Sequence, residues 1–332
     1  MAMLTYIQAI VIGALQGVTE LFPISSLGHS VLVPAWVGGT WEKLVTDGDA
    51  KNGTPYLAFV VALHVATALA LLGYYWRDWR DIIIGFVQTL RTRRIETSAQ
   101  RLAWLIVVAT IPVGLLGLAL EHPLRTLFAT PIYASIFLML NGVVLIVGEG
   151  MKRRNAPSLA EYGRRFAEAE DRAARRHGDY DEYDEYDGYD EYDDVHEETH
   201  LASDERLAAL SVKDALGIGL AQSGALLAGF SRSGLTMVGG LMRGLDHEDT
   251  AKFAFLLATP VILAAGVLKM PELLGHQGDG IRGQALVGAI VAGAAAWLAV
   301  RFLERFFKTR TMLPFAVYCL IAGLLSVIKF AV

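Results

Sequence analysis

The sequence predicts an all-α polytopic membrane protein made of two inverted repeats, each a re-entrant helical hairpin plus three transmembrane helices, giving six full spans and two hairpins. Three observations carry this expectation. Of the 332 residues, 54% are hydrophobic and only 19% charged, with a mean hydropathy of +0.41, where soluble domains carry about 25% charged residues. Several apolar runs reach the roughly 17–25 residues needed to cross a ~30 Å hydrocarbon core. Two of the runs end in polar, Pro/Gly/Ser-rich stretches that resemble each other.

Taken in order, the apolar segments are Met3 to Phe22, Tyr56 to Trp76, Leu102 to Leu120, Ile132 to Gly148, Val212 to Leu227, Phe253 to Leu268, Ala285 to Phe302 and Leu313 to Phe330. Met1 to Leu15 lacks the basic region and small-residue cleavage site of a secretory signal and reads as part of the mature fold. The first segment runs into Leu15 to Ser30, where Gln16, Glu20, Ser25, Ser26, His29 and Ser30 interrupt an apolar stretch broken by Pro23 and Gly28. Polar chemistry at membrane depth is costly and usually functional. Cys319, the single cysteine, lies inside an apolar run, can form no internal disulfide and reads as packing.

An offset of 206 pairs Ala9 with Ala215, Ile12 with Ile218, Gly13 with Gly219, Gln16 with Gln222, Leu21 with Leu227, Ser25 with Ser231 and Gly28 with Gly234. An offset of 196 places Leu57 to Ala62 against Phe253 to Ala258. The chain therefore reads as residues 1–150, a first repeat, and 211–332, a second, separated by an insertion at 151–210. Arginines between Arg77 and Arg101, the run Lys152-Arg153-Arg154, and Arg301, Arg305, Lys308 and Arg310 mark three cytoplasmic regions by the positive-inside tendency. Counting from them, each motif segment must leave and return on one side of the membrane. That makes each a re-entrant hairpin, and the second repeat is inverted relative to the first.

The insertion holds 18 acidic and 9 basic residues, so the net charge of −5 misleads and the remainder is mildly basic. Asp179 to Glu198 carries twelve acids, no Lys or Arg, and Tyr180, Tyr183, Tyr186, Tyr189 and Tyr192. Such a run repels itself and is expected to be a disordered cytoplasmic linker. The basic excess elsewhere suits cytoplasmic loops and gives no support for nucleic-acid binding.

Gln16 and Glu20 share a helix face. With Ser26 and His29 beyond Pro23, they offer either a Ser/His/Glu nucleophile set or, through Glu20 and Gln16, ligands for a hard divalent cation. The second motif, Gly229 to Thr236, supplies a cation in Arg232, with Ser231, Ser233, Thr236 and backbone N–H groups at a helix start as further phosphate donors. Hydroxyls such as Ser25, Ser30, Ser233 and Thr236 also serve helix packing in membranes. Glu20, His29 and Arg232 are harder to explain that way, because a buried charge without a task is costly in a bilayer. His64 could face the same cavity but reads as a hydrogen-bonded interhelical histidine, and Asn141 similarly; His122, beside Glu121 in an outside loop, is given no role.

At these residues the chain resembles the undecaprenyl-diphosphate phosphatase family of bacterial inner membranes, the bacitracin-resistance type. Gln16, Glu20, Pro23, Ser25, Ser26, Gly28 and His29 match its first motif, and Gly229 to Thr236 its second; Ile111 to Gly114 and Leu313 to Tyr318 are similar to it as well. Ala228 stands where the family usually has Pro, and Leu27 where it often has Thr or Ser. The resemblance covers the chain except for the insertion. It implies hydrolysis of undecaprenyl diphosphate, a polyprenyl diphosphate lipid, at a site opening to the outer face of the plasma membrane, which recycles the carrier for peptidoglycan synthesis. It also implies a divalent cation, Mg²⁺ or Ca²⁺. On that footing Ser26 would attack phosphorus with His29 or Glu20 as base, or Glu20 would activate water; Arg232, Ser231, Ser233, Thr236 and Ser25 would hold phosphate, and Glu20 and Gln16 the cation. A lipid transporter or flippase shares the architecture and is the alternative, a purely structural membrane protein leaves Glu20 and Arg232 without a reason, and a homo-oligomer is left open.

Overall fold

The computed structural model describes residues 4–46, 55–128, 130–155, 203–275 and 278–331. Among them the chain is helical, with no strand. In chain order the helices are α1 (Tyr6–Leu21), α2 (Ser26–Val37), α3 (Thr40–Thr46), α4 (Pro55–Tyr74), α5 (Trp76–Thr92), α6 (Ser98–Phe128), α7 (Pro131–Asn155), α8 (Val212–Gln222), α9 (Arg232–Leu241), α10 (His247–Leu274), α11 (Arg282–Phe307) and α12 (Leu313–Ala331), with a 3-10 turn at Ser223–Leu226 between α8 and α9. Among the described residues six segments are long and apolar enough to cross a membrane: Pro55–Tyr74, Ser98–Leu120, Pro131–Lys152, His247–Lys269, Arg282–Phe307 and Leu313–Ala331. They coincide with the six uninterrupted apolar runs of the sequence. Large exposed residues such as Leu115, Leu118, Leu286, Ile290, Leu298 and Ile321 give these helices the apolar outer surface that lipid requires.

The two interrupted runs fold differently. Helix α1 has 16 residues and α8 has 11, so at 1.5 Å per residue they rise only ~24 Å and ~17 Å. Each starts at a capping box, Thr5 with Gln8 and Ser211 with Asp214, in which side chains satisfy the first free N–H groups. Each stops where its polar motif begins. Pro23, which cannot continue a helix, follows α1, and a tighter 3-10 turn follows α8.

These short helices sit against long ones across seams of small residues. A Cβ on Gly13 would meet the Gly288 carbonyl oxygen at 2.4 Å, one on Gly17 the Ala292 oxygen at 2.2 Å, and one on Gly219 the Ala109 oxygen at 2.3 Å. Hence α1 packs on α11 and α8 on α6, while α4 lies against α10 and α7 against α12. Small residues permit this backbone approach, which is how helices associate where lipid removes the hydrophobic drive.

Two expectations change. The arginine-rich stretch from Arg77 to Arg101, expected as a loop, is mostly helix α5, which buries Ile82, Gly85 and Thr89 against α6. Its period-3.6 apolar positions were masked by the charges between them. Glu121 and His122, expected in a loop, lie within α6, whose 31 residues exceed the apolar run. The edges of the insertion expected at 151–210 are largely helical where they are described. Helix α7 continues to Asn155, and residues 203–208 are helical, with Leu207 and Leu210 buried. The acidic tyrosine-rich run from Asp179 to Glu198 lies outside the described residues.

Both flanks of the insertion are fastened to the start of α10. Lys152 Nζ lies 2.9 Å from His247 Nδ1, and Glu149 accepts from His247 Nε2 at 2.8 Å. Arg206 donates twice to Asp249, Ser203 donates to Asp249 at 2.8 Å, and Lys252 bridges Asp204 at 2.9 Å and Asp78 of α5 at 2.6 Å.

Substituting Gly17 by Ala should destabilise the fold by about 1–3 kcal/mol through overpacking of the seam. Gly114→Ala, where nothing lies within 4 Å of an added Cβ, should leave stability unchanged or slightly raised. Thermal unfolding of the two variants in detergent, compared with wild type, measures the difference.

Candidate active site

The site is built where the two broken segments meet. After α1, residues Phe22 to Ile24 turn and Ser25 takes φ 71°, a left-handed conformation that a side chain rarely adopts. Its hydroxyl explains the conformation: Ser25 Oγ accepts from Gly28 N at 3.1 Å, capping α2, and from Gly229 N of the other motif at 3.2 Å. Gly229 has φ 113°, and a Cβ there would lie 2.4 Å from the Ala134 carbonyl oxygen, so the approach needs glycine twice over. Ser231 caps α9 through Gly234 N at 3.1 Å. Ser231 and Ser233 also donate to the Phe22 carbonyl at 3.4 and 3.2 Å.

Asn141 of α7 clasps the two turns. Its Nδ2 donates to the Pro23 carbonyl at 2.9 Å, and its Oδ1 accepts from Ser231 N at 3.0 Å. Both partners are main-chain groups; without Asn141 the Ser231 N–H would have no partner and the Pro23 carbonyl only the weak Cys319 thiol donor, 3.8 Å away.

At the centre lies Glu20, 6% exposed. Its Oε1 accepts from Arg232 at 2.7 Å. Its Oε2 accepts from the Ser26 hydroxyl and from Gln16 Nε2 at 3.0 Å, and lies 3.2 Å from His64 Nε2. The other ring nitrogen of His64 lies 2.8 Å from the Val60 carbonyl, which assigns the Nδ1–H tautomer if the ring is neutral and leaves Nε2 to carry a proton only when the ring is charged. Glu20, Ser25, Ser26, His64, Ser231 and Arg232 all line one cavity of about 240 Å³. Its remaining wall is largely apolar, including Leu57, Val60, Val113, Phe230, Val261 and Ile262.

Three polar atoms here are buried without a protein partner: Arg232 NH1, Gln16 Oε1 and Gln222 Oε1. Buried polar atoms are normally satisfied, so an unpaired guanidinium nitrogen beside a cavity is a vacant donor position. The starts of α2 and α9 also face the cavity, through Ser25 and Ser26 and through Ser231 and Arg232. Helix N-termini with unbonded N–H groups favour an anion. The cavity therefore combines a hydroxyl held by a carboxylate, a cationic clamp and an apolar wall, the parts needed to bind and cleave an amphipathic phosphate compound.

Not every expected residue reaches it. His29 is held 4% exposed, with Nδ1 2.7 Å from the Ser25 carbonyl, Nε2 2.7 Å from the Tyr318 hydroxyl, and its ring stacked on Tyr318 at 5.7 Å. With both nitrogens engaged, it stands behind the turn rather than in the cavity, and His64 occupies the histidine position beside Glu20. Gln16 orients Glu20 from behind. Ser233 and Thr236 bond to main-chain oxygens, Thr236 to Arg232 at 2.8 Å, and they fix the turn rather than line the cavity. The sequence signals for the residues it underrated were a lone imidazole in an apolar span, His64, and the residue that an offset of 206 pairs with Gln16, Gln222, which lines the cavity and donates to the Ala109 carbonyl at 2.9 Å.

Among the described residues no group of three or more His, Cys, Asp or Glu side chains gathers in a metal-binding arrangement. One carboxylate and the free amide oxygen of Gln16 give a hard cation two oxygen donors; a bound phosphate compound and water would have to supply the rest.

Known proteins resemble the chain over nearly its whole length. The model of the family described as bacitracin resistance protein BacA matches residues 9–325. Undecaprenyl-diphosphatase 2 of Frankia alni is 53% identical over 354 aligned residues, covering 99% of either chain. Undecaprenyl-diphosphatase of Mycolicibacterium paratuberculosis is 53% identical over 330 residues, again covering 99% of both, and that of Acidiphilium cryptum 40% identical over 331, covering 98% of both.

Replacing Asn141 by Leu should orphan the Ser231 N–H and leave the Pro23 carbonyl only the weak Cys319 thiol, at a cost of about 1–3 kcal/mol for the orphaned N–H. A lowered midpoint of thermal unfolding in detergent, with at least as large a loss for Asn141→Asp, whose buried carboxylate would face the Pro23 carbonyl without a donor, checks the clasp.

Proposed function

Since the chain belongs to the bacitracin resistance BacA family, we propose that it hydrolyses undecaprenyl diphosphate to undecaprenyl phosphate and inorganic phosphate, recycling the lipid carrier of cell-wall synthesis. The observation that carries this reading is the chain of contacts from Ser26 through Glu20 to Arg232 inside one half-apolar cavity. Prenyl chain can lie on the apolar wall while the diphosphate meets the cation and the two helix starts.

In the proposed reaction Arg232, through its free NH1, and the N–H groups at the starts of α2 and α9 hold the terminal phosphate. Ser26 Oγ attacks its phosphorus while Glu20 takes the hydroxyl proton, and His64 and Gln16 keep the carboxylate aimed. The bond from phosphorus to the bridging oxygen breaks, and the electron pair leaves with undecaprenyl phosphate. Glu20 passes that proton to the leaving undecaprenyl phosphate; water then cleaves the phosphoserine, with Glu20 taking a proton from the water and returning it to Ser26 Oγ, and phosphate departs. A direct attack by water activated by Glu20 would use the same residues, with Ser26 as a ligand only. A divalent cation, Mg²⁺ or Ca²⁺, held by Glu20 and Gln16 Oε1 together with substrate oxygens, would neutralise charge developing on the phosphates. His29, Ser231, Ser233, Ser25 and Thr236 act by holding the turns in place.

We further place both motif segments as re-entrant hairpins of two inverted repeats. The shortness of α1 and α8 supports this, as does the reciprocal packing of α1 on α11 and α8 on α6. Broken helices at membrane depth are tolerated where protein or a cavity satisfies their backbone. With the arginine-rich ends on the cytoplasmic side, the Glu20 hairpin opens to the outer face of the plasma membrane.

Phosphate release from a prenyl diphosphate by the purified protein tests this. Wild type should release phosphate, and Arg232→Ala and Glu20→Gln should each lower kcat/KM by about 10²-fold or more. His29→Ala should cost less activity than either and show its main effect in thermal stability. Removal of divalent cations should abolish release and their return restore it. Absence of release by wild type, or undiminished release with Arg232→Ala, would overturn the reading; recovery of phosphorus on Ser26 in quenched reactions would separate the serine route from attack by water.

A further inference from the structure

A second cavity, of about 350 Å³, lies away from the site, at the C-terminal end of α5, lined by Thr89, Leu90, Arg93, Arg94, Ile95 and Trp104. Its two guanidinium groups are exposed and form no ion pair among the described residues. The stretch from Trp76 to Arg101 carries six arginines against three carboxylates. Two of those carboxylates are engaged, Asp78 with Lys252 at 2.6 Å and Asp81 with Arg80 at 2.8 Å. Glu96 alone remains to set against Arg91, Arg93 and Arg94, so positive charge at the cavity is in excess.

Helix α5 adds an apolar track. Trp76, Ile83, Val87 and Leu90 fall on one face and are 41–56% exposed, while Ile82, Gly85 and Thr89 on another face pack against α6. The track ends at Leu90 on the cavity edge, and Ile95, 55% exposed, continues it. Trp104 forms the inner wall and is fixed by donating to Thr89 Oγ1 at 3.0 Å. Helices with exposed apolar residues, flanking arginines and interfacial tryptophans lie in the plane of a membrane surface. Basic pockets beside transmembrane helices suit anionic lipid headgroups.

We propose that this cavity seats the headgroup of an anionic phospholipid, its phosphate between Arg93 and Arg94 and an acyl chain along Trp76, Ile83, Val87 and Leu90. Charge complementarity selects this occupant over a zwitterionic lipid, whose choline would meet the same two guanidinium groups. The apolar track selects it over free phosphate, which has no use for Leu90 and Ile95. Such a lipid would fasten α5 to the leaflet surface and, through the Asp78–Lys252 bridge, to α10, which supplies Val261 and Ile262 to the catalytic cavity.

Full-length protein in a mild detergent, titrated with phosphatidylglycerol or phosphatidylcholine of the same acyl chains and read by native mass spectrometry, tests the site. Wild type should retain one phosphatidylglycerol about tenfold or more tightly than phosphatidylcholine, the factor that two arginines near an anionic surface contribute. The double variant Arg93→Asn, Arg94→Gln should lose that preference while keeping phosphate release from a prenyl diphosphate in detergent. Asparagine is chosen because residue 93 has φ 56°, which asparagine tolerates. Leu90→Ser with Ile95→Ser should weaken retention of both lipids and leave the preference. Equal retention of the two lipids by wild type, an unchanged preference in the arginine variant, or displacement of phosphatidylglycerol by inorganic phosphate would overturn the proposal.

Discussion

The contact between Glu20 and Arg232 is the constraint to which the rest of the structure answers. The two residues lie 212 positions apart, with Glu20 buried and the Arg232 side chain 13% exposed, in a protein whose surroundings are lipid. Neither charge is tolerable alone at that depth, so the fold has to bring both motif turns to one place and hold them there. Asn141, Ser25, Ser231 and Ser233 do the holding through main-chain groups of the opposite turn. Once the pair is made, the second carboxylate oxygen is free to organise Ser26, Gln16 and His64.

The same pairing explains why the cavity looks half-finished from the protein side. The carboxylate accepts from Arg232, Ser26 and Gln16, whereas Arg232 keeps one nitrogen without an acceptor, and Gln16 and Gln222 keep an oxygen each without a donor. A ligand carrying phosphate oxygens answers the first of these, and an apolar tail answers the wall of valines and isoleucine opposite. Short helices with their N-termini at the cavity give the anion main-chain donors as well as a side-chain cation.

Much of this was legible in the sequence because the signals are local. Six spans follow from runs of apolar residues, and the two broken segments from Pro23 and from the Gly/Ser content around Arg232. Glu20, Ser26 and Arg232 stand out because charge or hydroxyl in an apolar run needs a reason. What the sequence hid depends on which face of a helix meets which neighbour. His29 and His64 are equally conspicuous imidazoles, but Tyr318, nearly three hundred residues away, claims the first and leaves the second to Glu20. Helix α5 was hidden for another reason: its arginines lowered the average hydropathy of a segment whose apolar residues are arranged in two distinct faces.

The fastening of both flanks of the insertion to the first turns of α10 has a consequence for how the chain tolerates change. Lys152 is tied to His247 on one side, and Arg206 and Asp204 to Asp249 and Lys252 on the other, so both flanks are clamped to one helix start. A change inside the insertion reaches the membrane helices only through this clamp, and substitutions are tolerated least at His247, Asp249 and Lys252, where the flanks are held.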